Sequence, residues 1–208
     1  MADTLESLVA EIRACRHCVE QPTRSPLPHE PRPVLRVSGT ARLGVCGQAP
    51  GVRVHASGVP WSDPSGERLR DWMGVTPPEF YDERRVAIIP MGFCFPGYDA
   101  HGGDLPPRAE CARLWRQRLF RLLPALELVL LVGQYAQRWH LGERCVSGVS
   151  DTVRGWRAIL DAPGRPRFIP LPHPSWRNNA WLKTNPWFGK ELLPALRREI
   201  RQMLTPAQ

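Results

Sequence analysis

Four short runs of apolar residues recur along the chain, and each ends at or near a glycine or a proline. They cover residues 41–47, 86–92, 128–133 and 167–171. Continuous apolar runs of this length are typical of strands that are buried on both faces of a sheet. The pattern therefore predicts a sheet of four buried strands.

Segments with helical spacing separate or follow these runs. Residues 65–73 start with a Ser in the N-cap position and end before Gly74, and further helices are predicted at 4–15, 107–122, 134–141, 151–160 and 186–203. Strands that alternate with helices pair in parallel through right-handed crossovers. We expect an α/β fold, namely a single three-layer α/β/α domain over residues 1–208 with a central four-stranded parallel sheet. Residues 1–33 would add an N-terminal helix and a Pro-rich connector.

The composition limits the classes of protein to which the chain can belong. The 208 residues are 42% hydrophobic and 23% charged, which suits a chain with a buried core. No apolar run approaches the roughly 18 residues that cross a bilayer, and the first residues lack the basic start of a secretory signal. We therefore expect a cytoplasmic, bacterial-type protein associated with the nucleoid and not with a membrane. A net charge of +8 favours a polyanionic partner, most simply nucleic acid.

Ligands of parallel sheets bind at the carboxyl ends of the strands. The first strand is followed by Gly-Gln-Ala-Pro-Gly at 47–51, where exposed backbone N–H groups could meet an anion. The chain continues through His55, Trp61 and Asp63. A Trp can stack on a planar ligand, and an Asp can act as a general base. The alternatives are an ordinary loop with a core Trp and an Asp that serves a turn or a helix cap.

The last strand leads into a second polar loop at the same edge of the sheet. It reads Pro-His-Pro-Ser-Trp-Arg-Asn-Asn over 172–179. His173 is held stiffly between two prolines and should face the same cleft as Gln48. Arg177 and Asn178 could reach phosphates or bases, although a solvated polar loop would show the same composition.

Four of the six cysteines have a spacing that suggests metal binding. A C-x-x-C pair near the N-terminus is followed much later by two single cysteines, which gives the set Cys15, Cys18, Cys94 and Cys111. Cysteines in a cytosolic chain are more often reduced or ligating than paired as disulfides. The pair does not follow a strand as a thioredoxin-like redox motif does, and no nucleotide-binding glycine motif is present. Cys46 and Cys145 are interpreted as buried or incidental thiols.

The two loops together, in this order, resemble the active-site motifs of the uracil-DNA glycosylase superfamily. G-Q-A-P-G stands at the first motif and H-P-S-W-R-N at the second, and the resemblance extends from residue 15 to about residue 200. It implies a monofunctional DNA glycosylase of base excision repair. Such an enzyme flips uracil, or another deaminated base, out of DNA and hydrolyses its N-glycosidic bond to leave an abasic site. The alternative is a weakly active or inactive protein of the same fold that binds damaged DNA. No obligate protein partner is expected.

The cysteine spacing resembles the iron–sulfur members of that superfamily, families 4 and 5. The resemblance implies a structural 4Fe–4S cluster on the four spaced cysteines, because such clusters are held by four thiolates. Zinc on the same four thiolates is the chemical alternative.

The first motif departs from the family pattern. Family 1 has Asp third in this motif and family 4 has Glu second, whereas this chain has Ala49 and Gln48 there. Family 5 also lacks that carboxylate and is thought to use an Asp in a D-x-S-G segment. The match makes Asp63 the candidate base, with His55 in reserve. The stretch 89–94 lacks the Asn with which relatives read uracil, which implies looser base recognition through backbone groups.

The resemblance also implies roles for the other site residues. His173 would donate a hydrogen bond to the base, Gln48 would position base or water, and Trp61 would stack on the flipped base. Arg177 would fill the space that the base vacates, and Ser175 would hold a flanking phosphate. The remaining contacts to base or DNA are expected from Gly47, Ala49, Phe93 and Asn178.

Overall fold

The computed structural model describes residues 4–146 and 148–205. The four apolar runs form four parallel strands, β1 (Leu43–Cys46), β2 (Val86–Ile88), β3 (Leu128–Val132) and β4 (Arg167–Leu171). Their order in the sheet is β2-β1-β3-β4. The predicted α/β fold with a four-stranded parallel sheet is thus confirmed.

Helices connect and flank the strands. They are α1 (Leu5–Arg13), α2 (His17–Glu20), α3 (Val52–Ser57), α4 (Pro64–Met73), α5 (Pro77–Tyr81), α6 (Ala109–Arg121), α7 (Gln134–Leu141), α8 (Val149–Arg154), α9 (Trp156–Leu160), α10 (Asn179–Thr184) and α11 (Leu193–Leu204). A π-helical turn over Phe188–Leu192 leads into α11.

Alternate side chains of the strands enter two separate core layers. On one face of the sheet, Leu128, Leu130 and Val132 pack with residues of α4, α9 and α11. On the other face, Val129 and Leu131 pack with residues of α1, α6 and α7. Because both faces are covered, both sets of strand positions must be apolar, which explains why the strands appear in the sequence as unbroken apolar runs.

Three helix predictions are corrected in detail. The helix expected at 65–73 starts at Pro64, and its N-cap is Asp63 rather than Ser65. The helix expected at 151–160 is two helices, α8 and α9, divided at Gly155. Residues 186–203 are helical throughout, as expected, but the turn over Phe188–Leu192 is π-helical. The helices α2, α3, α5 and α10 were missed because one or two turns are too short to show a period of 3.6 residues.

The strand order decides where a ligand site can form. The connection from β1 leads to β2 on one side and the connection from β3 leads to β4 on the other, so a crevice opens between the carboxyl ends of the adjacent strands β1 and β3. The Gly-Gln-Ala-Pro-Gly loop starts at this point. In the described ranges, 4–146 and 148–205, no helix has the length and apolar character needed to cross a membrane.

Candidate active site

Both polar loops line one cavity of about 90 Å³ at the carboxyl ends of the strands. The wall from the first loop is formed by residues 47–51, and Gln48 is half-buried there. Trp61, Asp63 and His173 line the same cavity. The structure therefore brings together Gly47, Gln48, Ala49, Trp61, Asp63 and His173, as predicted from the two motifs.

The indole of Trp61 lies directly on the backbone of the first loop. A Cβ on Gly47 would be 2.7 Å from Trp61 Cζ2, so only glycine permits this contact. Trp61 has φ 56°, a left-handed conformation that costs a non-glycine residue about 1–3 kcal/mol. Its carbonyl accepts hydrogen bonds from Arg70 Nη1 at 3.0 Å and Tyr81 Oη at 3.2 Å. These bonds hold the strained residue, and strain of this kind concentrates at binding sites.

His173 faces Trp61 across the cavity. The two ring centroids are 5.8 Å apart and the planes are tilted by 32°. Burial lowers the pKa of His173, and the nearby Asp63 carboxylate only partly opposes this effect. Asn178 Nδ2 donates to the His173 carbonyl at 2.7 Å. The lowered pKa favours the neutral imidazole, which can donate one hydrogen bond, and the Asn178 bond fixes the backbone that carries it.

Asp63 has two roles that the sequence presented as alternatives. Its Oδ1 accepts the Gly66 N–H at 3.1 Å and caps α4, while the residue also lines the cavity. A Cβ on residue 66 would lie 1.8 Å from the Trp61 carbonyl oxygen. Glycine at this position therefore allows the first turn of α4 to pack against the Trp61 backbone. The positive end of the α4 dipole favours a negative charge on Asp63.

A second carboxylate, Asp104, lines the cavity and was missed in the sequence. It lies on the segment 97–105, which folds back on itself through a bridge between Tyr98 and Asp104. A Cβ on Gly51 would be 3.4 Å from Asp104 Oδ2, so the carboxyl is close to the first loop. The unusual length of this Gly- and Pro-rich segment indicates a function from the sequence alone, but it does not point to Asp104 in particular.

Asp104 is exposed as a residue, yet its carboxyl group is partly desolvated within the cleft. Burial raises the pKa of Asp104, Arg177 opposes the rise, and Asp63 and Asp99 add to it. Two carboxylates that face one cavity thus interact, which is a common arrangement in sites that handle protons.

The loop after β4 extends the site toward solvent. Ser175 Oγ accepts the Arg177 N–H at 3.2 Å, and Arg68 of α4 donates to the Ser175 carbonyl at 3.0 Å, so the loop is tied to the helix that Asp63 caps. At the tip of this loop, Trp176 is 72% exposed, and the Arg177 guanidinium lies 5.9 Å from the centroid of the Trp176 ring. Trp176 is therefore a further candidate for contact with a ligand, and it was not among the site residues predicted from the sequence.

Two predicted site residues lie elsewhere. His55 does not line the cavity; its ring packs against His29 with centroids 4.2 Å apart and lies 6.2 Å from Phe95. Phe93 is 3% exposed and lines the cavity of the cysteines, where its N–H donates to Cys111 Sγ at 3.4 Å. Both side chains turn into the protein because the segments that carry them pack against the connector 27–34.

The four spaced cysteines line a second, separate cavity between the N-terminal segment, the segment after β2 and α6. Burial raises the pKa of the Cys18 thiol to about 11 and that of Cys94 to about 12, and the Cys111 thiol is raised further in the same direction. Within 4–146 and 148–205, no group of three or more His, Cys, Asp or Glu side chains forms a site for a metal ion. All four thiols line this one cavity, and four thiolates are the donor set by which an iron–sulfur cluster is held.

A comparison with protein families agrees with this geometry. The model of the Uracil DNA glycosylase superfamily matches residues 36–197, which is more than half of the chain and includes both loops of the cavity. The matched segment contains β1 to β4 and the residues Gln48, Trp61, Asp63 and His173. This chain belongs to the uracil DNA glycosylase superfamily.

Proposed function

We propose that the protein is a monofunctional uracil-DNA glycosylase of base excision repair that hydrolyses the N-glycosidic bond of uracil, or of another deaminated base, in DNA. The observation that carries this proposal is the placement of Trp61, Asp63 and His173 around one cavity at the carboxyl ends of the strands. Superfamily membership supports a DNA glycosylase in general. The substrate and the roles of the residues are our proposal.

The target bond is hidden inside a duplex, so the nucleotide must first leave the stack at a cost of a few kcal/mol. Trp61 offers a fixed aromatic face for the base, because its backbone is locked by Arg70 and Tyr81. Trp176 and Arg177 lie at the exposed tip of the second loop, where they can occupy the space that the base leaves.

Hydrolysis needs an activated water and a stabilised leaving group. Asp63 accepts the proton of the water and favours the positive charge that develops on the sugar. His173, neutral because burial lowers its pKa, donates a ring N–H to a base oxygen where negative charge develops. Of the residues described, no lysine lines the cavity, so the chemistry ends at the abasic site without Schiff-base cleavage of the strand.

Asp104 is proposed to face the edge of the base. A protonated carboxyl presents one donor and one acceptor, which match a carbonyl oxygen and an N–H of uracil. An ionised carboxylate presents only acceptors and repels that carbonyl. The raised pKa of Asp104 keeps the protonated form to higher pH than in an ordinary Asp.

This role predicts the effect of Asp104→Asn, whose amide keeps one donor and one acceptor at every pH. We expect uracil cleavage by the natural protein to fall as pH rises through the raised pKa of Asp104, and this fall to be absent in the variant. At a pH above this fall the variant should be faster by about tenfold, since an unmatched polar pair at a partly desolvated edge costs about 1–3 kcal/mol.

The measurement is the single-turnover rate of uracil release across pH. Asp161→Asn is the matched control, because Asp161 is exposed after α9, does not line the cavity and is not among the groups that shift the pKa of Asp104. Parallel pH profiles of the Asp104 variant and the natural protein would contradict this role.

Cys15, Cys18, Cys94 and Cys111 would hold a 4Fe–4S cluster, which would cross-link the N-terminal segment to α6 and supply structural stability. We expect Cys94→Ser to lose bound iron and to lower the melting temperature, by about 2–4 °C for each kcal/mol lost in a chain of this size. Cys145→Ser is the control, because Cys145 lies outside that cavity, near Thr152. Metal analysis that finds one zinc and no iron or sulfide would replace the cluster with the zinc alternative.

The activity is tested with oligonucleotides that carry one uracil, xanthine or hypoxanthine, in single strands and in duplexes. Alkali converts each abasic site into a strand break. Breaks at uracil would support the proposed function, and breaks at the other bases would define its range. The absence of a carboxylate at Gln48 and Ala49 favours a second candidate, a protein that binds damaged DNA without turnover. No breaks at any base, in protein that still binds the damaged strand, would establish that candidate instead.

A further inference from the structure

A long basic groove lies beside the catalytic cavity and has no role in the chemistry described so far. Its volume is about 910 Å³, and its floor is formed by Met91, Pro96 and the segment 105–107. Its walls come from α6, α7 and the connector that follows α2, and carry Arg24, Arg108, Arg113, Tyr135, Arg138 and Trp139. We call it the α6–α7 groove.

The arginines of the α6–α7 groove are not neutralised by the protein. Arg24, Arg113 and Arg138 are exposed, and in the described part of the chain none of the three forms an ion pair. Among the described residues that line the groove, Glu110 is the one acidic residue; it is buried and interacts with Arg108. Elsewhere many exposed arginines are paired, as Arg157 is with Glu191 at 2.9 Å. An excess of unpaired positive charge in a concave surface attracts a polyanion.

Two aromatic side chains, Tyr135 and Trp139, line the groove together with these arginines. Trp139 is 45% exposed on α7, and the half-buried Tyr135 lies one turn before it on the same helix. A basic groove with exposed aromatic rings is the usual design of sites for single-stranded nucleic acid, where phosphates meet arginines and bases stack on rings. The groove thus has both components of such a site.

The groove and the catalytic cavity are bordered by the same two segments of the chain: Pro90 lines the cavity and Met91 the groove, and the same division recurs at residues 104 and 105. Gly133 precedes α7, and a Cβ on Gly133 would lie 3.9 Å from His173 Cβ. A strand whose damaged nucleotide occupies the cavity can therefore reach the groove by crossing the segment 104–105.

We propose that the α6–α7 groove binds the DNA strand that flanks the damaged nucleotide, in single-stranded form. The inference rests on the proposed function, because it assigns the groove to the substrate of the same site. The arginines contact the phosphodiester backbone and Trp139 stacks on a flanking base. The protein accordingly gains affinity from nucleotides well beyond the lesion.

The test uses single strands with one uracil and flanks of about 4 or about 16 nucleotides, the range of site sizes that such grooves cover. Affinity is measured over a range of salt concentrations for the double variant Arg113→Ala/Arg138→Ala and for Trp139→Ala. The matched control is Lys190→Ala/Arg198→Ala, which removes two exposed positive charges at the π-helical turn and α11, outside the groove. Melting temperatures establish that all variants are folded.

We expect the groove variants to lose about tenfold or more in affinity for the long-flank strand, with little loss on the short one. The salt dependence of the double variant should decrease by about 1.4 in log–log slope, from roughly 0.7 for each phosphate contact on a single strand. The control should stay close to the natural protein. Equal losses on both flank lengths, or losses no larger than those of the control, would overturn the proposal.

The same strands separate this proposal from the proposed function. The affinity comparison is repeated with strands that contain no uracil, and the rate of uracil release is measured with the enzyme in excess over the strand. If the natural protein releases no uracil, the proposed function fails, and the dependence of affinity on flank length still decides the role of the groove.

Discussion

The variant Asp63→Asn should lower the single-turnover rate of uracil release by about 10²–10⁴-fold, the usual contribution of a general base. Affinity for uracil-containing DNA and the melting temperature should stay close to those of the natural protein. Asn keeps the shape of Asp and is an equally good N-cap, so its side-chain oxygen can still accept the Gly66 N–H. It cannot accept a proton from water. The variant therefore removes the proposed chemistry and leaves the helix cap in place.

Asp63→Ala is the comparison that separates the two roles of this residue. It should lose activity to the same extent and in addition lose about 1 kcal/mol of stability with the cap. A rate for Asp63→Asn close to that of the natural protein would show that another group activates the water, with Asp104 the nearest carboxylate in the same cavity.

His173→Ala should lower the same rate by about 10²–10³-fold, because it removes a donor aimed at charge that develops in the transition state. The backbone of His173 is restrained by Pro172 and Pro174 on either side and by the bond from Asn178 to the His173 carbonyl. Such a fixed donor stabilises the leaving base without reorganisation during the reaction. The measurement is single-turnover uracil release with the enzyme in excess over DNA.

His101→Ala is the control for this variant, since His101 is exposed on the segment 97–105 and does not line the cavity. It should release uracil at the rate of the natural protein. If His173→Ala lost affinity for DNA but kept its rate at saturation, His173 would be a binding residue and not a donor to the leaving base.

The sheet was predictable because its strands are covered on both faces. At β3, for example, Leu128 and Val129 enter different core layers, so the whole run has to be apolar and stands out in the sequence. The two loops of the cavity were predictable for a related reason, since the carboxyl ends of parallel strands meet at one edge. Once β1 and β4 were placed, Gln48 and His173 had to face the same crevice.

The site contacts that could not be predicted are those that depend on how loops fold back against the rest of the protein. Asp104 reaches the cavity only because the segment 97–105 closes on itself through the bridge between Tyr98 and Asp104. No periodicity in the sequence encodes that bridge. Phe93 and His55 were expected at the site because they follow the ends of β2 and β1 in the sequence, yet packing against the connector turns both side chains away.

The glycines of the site illustrate the same limit. Gly47 and Gly66 are ordinary turn residues in the sequence, but both permit contacts with one strained residue, Trp61. Close approach of this kind is a property of the assembled site, because it depends on a side chain from another segment. The first glycine of G-Q-A-P-G is therefore explained by its contact with Trp61 and not only by the preference of glycine for turns.

The most direct test of the proposed function is to identify both products by mass spectrometry after the protein acts on a uracil-containing strand. The proposed mechanism predicts free, intact uracil together with a full-length strand that carries one abasic site. Asp63→Asn should form both products far more slowly and in the same ratio. A strand cut by elimination at the lesion would contradict the monofunctional mechanism, and a strand bound by the protein with its uracil still attached would contradict glycosylase activity itself.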